Sequence, residues 1–470
     1  MKKILAYLLP LALLASACQP KFEMTPPKSG TVKNLEFAEN YYVTAQGDGL
    51  KDGDGWGNAL PFSEFLTRLS DPERPLADAC FHIREGNYTI SFDLGYLPLS
   101  KTVGCVRGGY SKELTLDDLS KCDPDRFPTV FNGGGDGAFI YLTEGELRFD
   151  NICFKNFLQP TDMATNLVGR GSAVFGINGA TYQSASVNCN GCRFEGNVNG
   201  YDGSSSSYDG GSCVFLSKGY FKARDCVFRD NRSRSRGGAI RTYDKQSVLF
   251  LDRCLFTGNT LSASFGSAIQ NTSGTVCMNN CTLVDNVGAG GTLNGGGSFF
   301  VANSTLLDSA DGSDVNNAAF RCESAEGTGS LIVASVFSHK GATGTGIHLN
   351  GVLTSRGYNL IKNVSLTAGK VDPTTADDSV RDQVLEGAFE GNCWKWNLSQ
   401  VSPAPAAYAT VDPVYAAALS FNPYAYCGVY VLGRVFASWV GPASFALDCR
   451  KSARGLERFQ MGAYDPNIDL

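Results

Sequence analysis

Three histidines, His82, His339 and His348, are all that 470 residues contain, and they stand far apart in the chain. That scarcity leaves no basis for a histidine-rich metal centre. Long apolar runs are also missing. After residue 14 no stretch is apolar for the roughly 20 residues a bilayer-spanning helix needs, which excludes a transmembrane helix beyond the first residues. Positive charge is in short supply too. Forty Lys and Arg face 46 Asp and Glu, a formal charge of −6, which argues against nucleic acid as a general partner.

What the chain does have begins with a targeting signal over residues 1–17. Lys2 and Lys3 precede an apolar Ile4–Leu14, and Ala15-Ser16-Ala17 leads to Cys18. The placement of Cys18 resembles the lipobox of bacterial lipoproteins, which implies acylation of that cysteine. Plain secretion with cleavage nearby is the other reading. Residues 18–35, rich in Ser, Pro and Lys, read as a lipidated tether with no core to join. Membrane attachment is expected through this N-terminal lipid alone. Gly 54 with 43% hydrophobic residues is the balance of a packed, turn-rich β protein. If Cys18 carries lipid, 15 of the 16 cysteines remain, and an odd number cannot all pair within one chain.

Six segments align without gaps: ELRFDNICFKNF (146–157), SVNCNGCRFEGN (186–197), YFKARDCVFRDN (220–231), VLFLDRCLFTGN (248–259), TVCMNNCTLVDN (275–286) and SFFVANSTLLDS (298–309). Alternation at period two predicts strands whose inward residues are Val187 and Cys189, Phe221 and Ala223, Leu249 and Leu251, Val276 and Met278, Phe299 and Val301. The phase slips by one residue at Asn190-Gly191, Arg224-Asp225, Asp252-Arg253, Asn279-Asn280 and Ala302-Asn303. A slip between two strands that face one core requires a bend, and Asn, Asp and Gly tolerate the left-handed backbone a bend needs. Between these units lies a third element, GSAVFG (171–176), GGSCVF (210–215), GGAIRT (237–242), GSAIQN (266–271) and GGTL (290–293), where glycines turn the chain into a short strand. Units recurring every 23 to 40 residues are coils of a solenoid.

The GGAI-plus-FxxN pattern resembles the polymorphic outer-membrane-protein repeat. SRGYNLI (355–361) and DCRKSARGLERFQMGAYD (448–465) resemble elements of the choice-of-anchor Q proteins, with an insertion between Asp448 and Arg454. These resemblances imply an all-β fold: a right-handed, pectin-lyase-like parallel β-helix with three strands per coil. They also imply bacterial surface display at the outer membrane. The expected layout is an N-terminal cap and first coils over 36–110, with a helix around 59–69, then the β-helix over 111–365 and an irregular C-terminal cap over 366–470.

Neighbouring coils about 4.8 Å apart stack equivalent positions into ladders. Asn197, Asn231, Asn259 and Asn286 are expected to form an amide ladder that satisfies turn backbone groups. Cys192, Cys226, Cys254 and Cys281 are expected to form a buried, reduced column, continued by Ser304, because stacked Cβ atoms sit too far apart for a disulfide. The Cys189-Cys192 spacing fits a zinc half-site, but no second clustered pair accompanies it. Cys80, Cys105, Cys122, Cys393, Cys427 and Cys449, outside the ladder, are the expected disulfide formers.

Chemistry is sparse. The polygalacturonase-like strings NTD, GHG and RIK are absent, as are the WiDH and RxPxxR strings of pectin lyases. The Asp-Asp pairs, Asp117-Asp118 and Asp377-Asp378, lie away from the aligned strands. Asp48, Asp52 and Asp54 sit among glycines as in a turn, without the closing Glu of an EF-hand. Tyr201 and Tyr208 in GYDGSSSSYDGG (200–211) are candidate sugar platforms. The strongest local signal is basic: over 218–245 nine cations meet three carboxylates. Gathered on one face, Arg229, Arg232, Arg234, Arg236 and Arg241 would attract acidic glycans or anionic head groups. The expectation is therefore a surface-anchored adhesin or glycan-binding β-helix with no catalytic residue, metal or cofactor. A polysaccharide lyase or glycosidase acting on acidic polysaccharides, and a self-associating structural protein, are the alternatives.

Overall fold

The computed structural model describes residues 39–71, 79–92, 95–114, 119–135, 137–159, 172–200, 210–262, 265–308, 317–325, 329–382, 387–390, 393–396, 436 and 438–440. Cys18 and the signal, Asp117-Asp118, Tyr201, Tyr208, Cys427, Cys449 and the 448–465 motif lie outside them.

Strands dominate, and they stack. A first ladder begins at Glu39–Thr44 and Ala79–Arg84 and passes through Gly145–Asp150, Ala185–Asn190, the second half of Val214–Arg224, Ser247–Asp252 and Thr275–Asn279. It closes at Thr354–Ser355. A second ladder of 11 strands runs from Gly86–Thr89 to Ser379–Arg381. A third runs from Leu97–Leu99 to Val364–Leu366 and holds the glycine-led strands Ile240–Thr242, Ile269–Asn271 and Leu293–Gly295. Four two-residue strands, among them Arg232–Ser233, form a short fourth. Pairing within all four is parallel. The chain is a parallel β-solenoid.

Every inward residue named from the alternation is buried in one continuous core that extends from Val43 to Ile361. In the second ladder, Phe194, Phe228 and Phe256 stack with centroids 4.5 and 4.4 Å apart and planes within 3°. That separation is close to the strand spacing, so the ladder itself sets the stacking. The bends fall where the phase slips. Gly191, Asp225, Arg253, Asn280 and Asn303 all have φ between +47° and +63°. Arg253 is the exception to the expected residue types, and its side chain has another task, described below. A second left-handed residue per coil went unread in the sequence. Asn156, Gly196, Asp230, Gly258 and Asp285 (φ +54° to +66°) stand just before Phe157 and the four ladder asparagines, turning the chain again as the amide is reached.

At the N-terminal end, the helix Phe62–Ser70 seats Phe62, Phe65 and Leu69 in the core, with Phe65 edge-on to Phe81 at 5.0 Å. The C-terminal region first continues the solenoid, through Ser379–Arg381 of the second ladder, and described residues beyond it pack along the sides. Trp394, in the antiparallel hairpin Gly387–Glu390/Cys393–Trp396, packs on the outward residues Val284, Leu307, Val336 and Leu360 of the second ladder. Phe436 and Val440 pack on the outward residues Val248, Phe250, Cys277, Phe300, Leu331 and Val333 of the first. No helix among the described residues is long and apolar enough to cross a membrane.

Candidate functional site

The ladder residues stack from coil to coil, and their roles are structural. Asn197, Asn231, Asn259 and Asn286 are fully buried. Each Nδ2 of the first three donates to Oδ1 of the next asparagine at 2.8–3.0 Å, and each backbone N–H donates to the same Oδ1 at 3.0–3.2 Å. Nδ2 also reaches the carbonyls of Phe154, Phe194, Phe228 and Phe256. In register, Asp308 and then His339 follow Asn286 in this column.

Cys192, Cys226, Cys254 and Cys281 are buried free thiols that donate to main-chain carbonyls at 3.2–3.4 Å. Ser304 and Ser335 continue the column with the same carbonyl contact, at 2.7 and 2.9 Å. Burial pushes the Cys226 and Cys281 thiols well above the ordinary range. A small donor, and not sulfur chemistry, is what the position requires. One expectation fails: Cys80, Cys105 and Cys122 are free. Cys80 and Cys105 are not loop residues but register partners on adjacent parallel strands, the same stacked geometry that keeps the column reduced.

The basic stretch does not gather. Residues 218–245 amount to one full coil, so its charges point around the circumference. Lys222 and Arg224 lie on the first ladder, Arg229 on the second, Arg232 on the short fourth and Arg241 on the third. Arg229 is half-buried beside Glu195 in register, and Arg232 and Arg234 are exposed. Arg236 lies 5.9 Å from the Phe265 ring, which Arg321 also approaches, at 5.5 Å. Arg241 is fully buried, with Nε donating to Gln270 at 3.1 Å and the guanidinium 5.2 Å from the Tyr243 ring. It is a core contact.

Among the other flagged acids and histidines, Asp48, Asp52, Asp378, His82 and His348 are committed locally. Asp48 accepts from Thr44 at 3.3 Å and faces Arg84, and Asp52 caps the Asp54 N–H at 3.0 Å. Asp378 accepts from the N–H and Nδ2 of Asn359, both at 2.9 Å. His82 bridges Tyr110 and Asn40, and His348 meets Ser365. Among the described residues no three His, Cys, Asp or Glu side chains cluster as metal ligands would.

A groove of about 290 Å³ lies where the bend column joins the first and second ladders. Its wall carries Asn151, Gly191, Asp225, Arg253 and Asn280, the bend residues of successive coils, with Arg193, Pro124 and Asp125 also lining it. Arg253 holds Asp225 bidentately at 2.8 and 3.2 Å and reaches the fully buried Asp252 at 3.0 Å. Burial works against the Arg253 charge, but the Asp252 and Asp225 carboxylates outweigh it and hold it charged. Asp252 also accepts from Asn279 at 3.0 Å and pairs with Arg224 at 3.2 Å. In the same groove Arg193 pairs with Asp125. The site is therefore a fixed frame of guanidiniums and amides that are already engaged with its carboxylates and neighbours, Asn151 Nδ2 with Cys122 Sγ at 3.2 Å, and Arg193 is more exposed than Arg253. The sequence signal for it was present: 225, 253 and 280 are one coil apart, the spacing that brings side chains together in a solenoid. In the sequence alone these residues register only as bend formers.

Comparison with protein-family models, with curated proteins and with solved structures gives no match for this chain.

Proposed function

We propose that this chain is a surface-displayed glycan-binding protein, tethered to the outer membrane through a lipid on Cys18, whose β-solenoid binds polysaccharide without cutting it. The winding we assign is right-handed with three strands per coil, as in the polymorphic outer-membrane-protein repeat. A right-handed return is what parallel crossovers adopt in about 98% of cases.

The observation that carries the reading is the corner groove. A glycosidase needs one carboxyl that holds a proton and a second whose lone pair is available. Asp225, gripped at both oxygens by Arg253, is poorly suited to either part. The same frame suits binding. Charge-assisted guanidinium N–H groups and the Asn151 and Asn280 amides match sugar hydroxyls and uronate carboxylates. Acidic glycans are the partners this favours, and the exposed Arg232 and Arg234 would add long-range attraction.

Affinity electrophoresis of the mature chain in gels containing polygalacturonate tests the reading. Retardation that falls about tenfold in Arg253→Ala, and weakens with salt, is the expected result. Equal mobility with and without every polysaccharide offered would overturn it.

A further inference from the structure

A second surface carries information the groove does not. On the first ladder, outward positions of successive coils fall in register: Glu146, Ser186 and Tyr220 in one column, Arg148, Asn188 and Lys222 in the next. One strand further on, those columns turn apolar, at Val248 and Phe250, and Phe436, Trp439 and Val440 pack on them. The face is thus a step, with a polar tread that no apolar cluster of the described residues covers and an apolar riser.

Half-buried aromatic rings line the step. Tyr182 meets Tyr220 at 5.5 Å, Tyr220 meets Phe250 at 5.9 Å, and Phe250 lies 6.1 Å from Trp439 with planes 24° apart. Phe250 is fully buried, whereas Tyr182, Tyr220 and Trp439 keep part of their area in water. Beside them Lys222 Nζ stands 5.5 Å from the Tyr220 ring, and Asn188 Nδ2 donates to Glu146 Oε1 at 2.8 Å. Burial lowers the Lys222 pKa while Glu146 raises it.

We propose that this step is a sugar subsite for a neutral pyranose, stacked on Tyr220 and Tyr182 and hydrogen-bonded by Lys222, Asn188 and Glu146. Rings that offer one apolar face pack on aromatic platforms, and vicinal hydroxyls want a donor and an acceptor side by side. An ammonium, an amide and a carboxylate in adjacent register positions supply both. Lys222 and Glu146 offset each other and Arg148 is held by Asp150 at 2.9 Å, a balance that selects for an uncharged sugar, in contrast to the acidic glycans assigned to the groove. The inference rests on the glycan-binding reading.

The test is affinity electrophoresis of the full mature chain in gels containing dextran, laminarin, galactomannan or polygalacturonate. Wild type should be retarded by at least one neutral polysaccharide. Tyr220→Ala and Lys222→Met should each weaken that retardation about tenfold, while Tyr220→Phe, which keeps the stacking face, retains it. Neutral-polysaccharide retardation unchanged in both Tyr220→Ala and Lys222→Met overturns the inference. Retardation by polygalacturonate alone, or neutral retardation lost only in Arg253→Ala, overturns the inference while glycan binding stands. No retardation by any of the four overturns both.

Discussion

Asn231 shows how much one side chain does in this fold. It accepts from the backbone and the amide of Asn197, and donates to Asn259 and to the Phe194 carbonyl. Asn231→Ala strands buried partners on both neighbouring coils, so it should cost about 2–4 kcal/mol, read as a lower urea midpoint with an unchanged slope. His339 ends the same column and carries a pH dependence. Its Nδ1 accepts the Gly341 N–H at 2.8 Å, which commits that nitrogen to the unprotonated state. Burial, then the nearby Lys362, lowers its pKa below the ordinary 6.5, with Asp308 3.9 Å from Nε2. The unfolded chain therefore takes up the proton first. The stabilisation is complete above about pH 6.5 and is lost as pH falls below it. Urea midpoints of wild type should decline between pH 7 and 5, and His339→Phe should remove part of that slope. A slope identical in the variant would contradict the assignment.

Strands and bends were the most legible elements. Alternation placed Val187, Phe221, Leu249, Val276 and Phe299 in the core, and the phase slip placed the left-handed residues, because both follow from a period of two meeting one axis. Arg253 at a bend was legible as a position but not as a residue, since its ion pairs to Asp225 and Asp252 are contacts across a coil. The basic run misled for the converse reason. Proximity in sequence is distance around the circumference, and residues become neighbours when they are one coil apart, from 23 to 40 positions across the aligned segments, as Asp225, Arg253 and Asn280 do. The lateral cover at Phe436 was illegible, because nothing in the repeat says what packs on its outward face. Phe436→Ala should cost about 3 kcal/mol or more through the cavity left against Phe250 and Phe300. Increased binding of a hydrophobic dye by the still-folded variant would show that the segment shields this face.

At the scale of the molecule, a solenoid supplies a rigid frame whose faces differ, and function rests on what each face presents. Here a corner groove holds paired guanidiniums, and an adjacent face holds an aromatic step beside Lys222. Both are built by stacking single residues from successive coils, so neither shows as a contiguous motif. The central claim is binding of polysaccharide without cleavage. The most direct measurement is long incubation of the purified mature protein with acidic and neutral polysaccharides, followed by size-exclusion chromatography of protein and glycan together. The account predicts protein co-eluting with at least one polysaccharide whose size distribution is unchanged. New oligosaccharides, unsaturated from a lyase or saturated from a hydrolase, would contradict it.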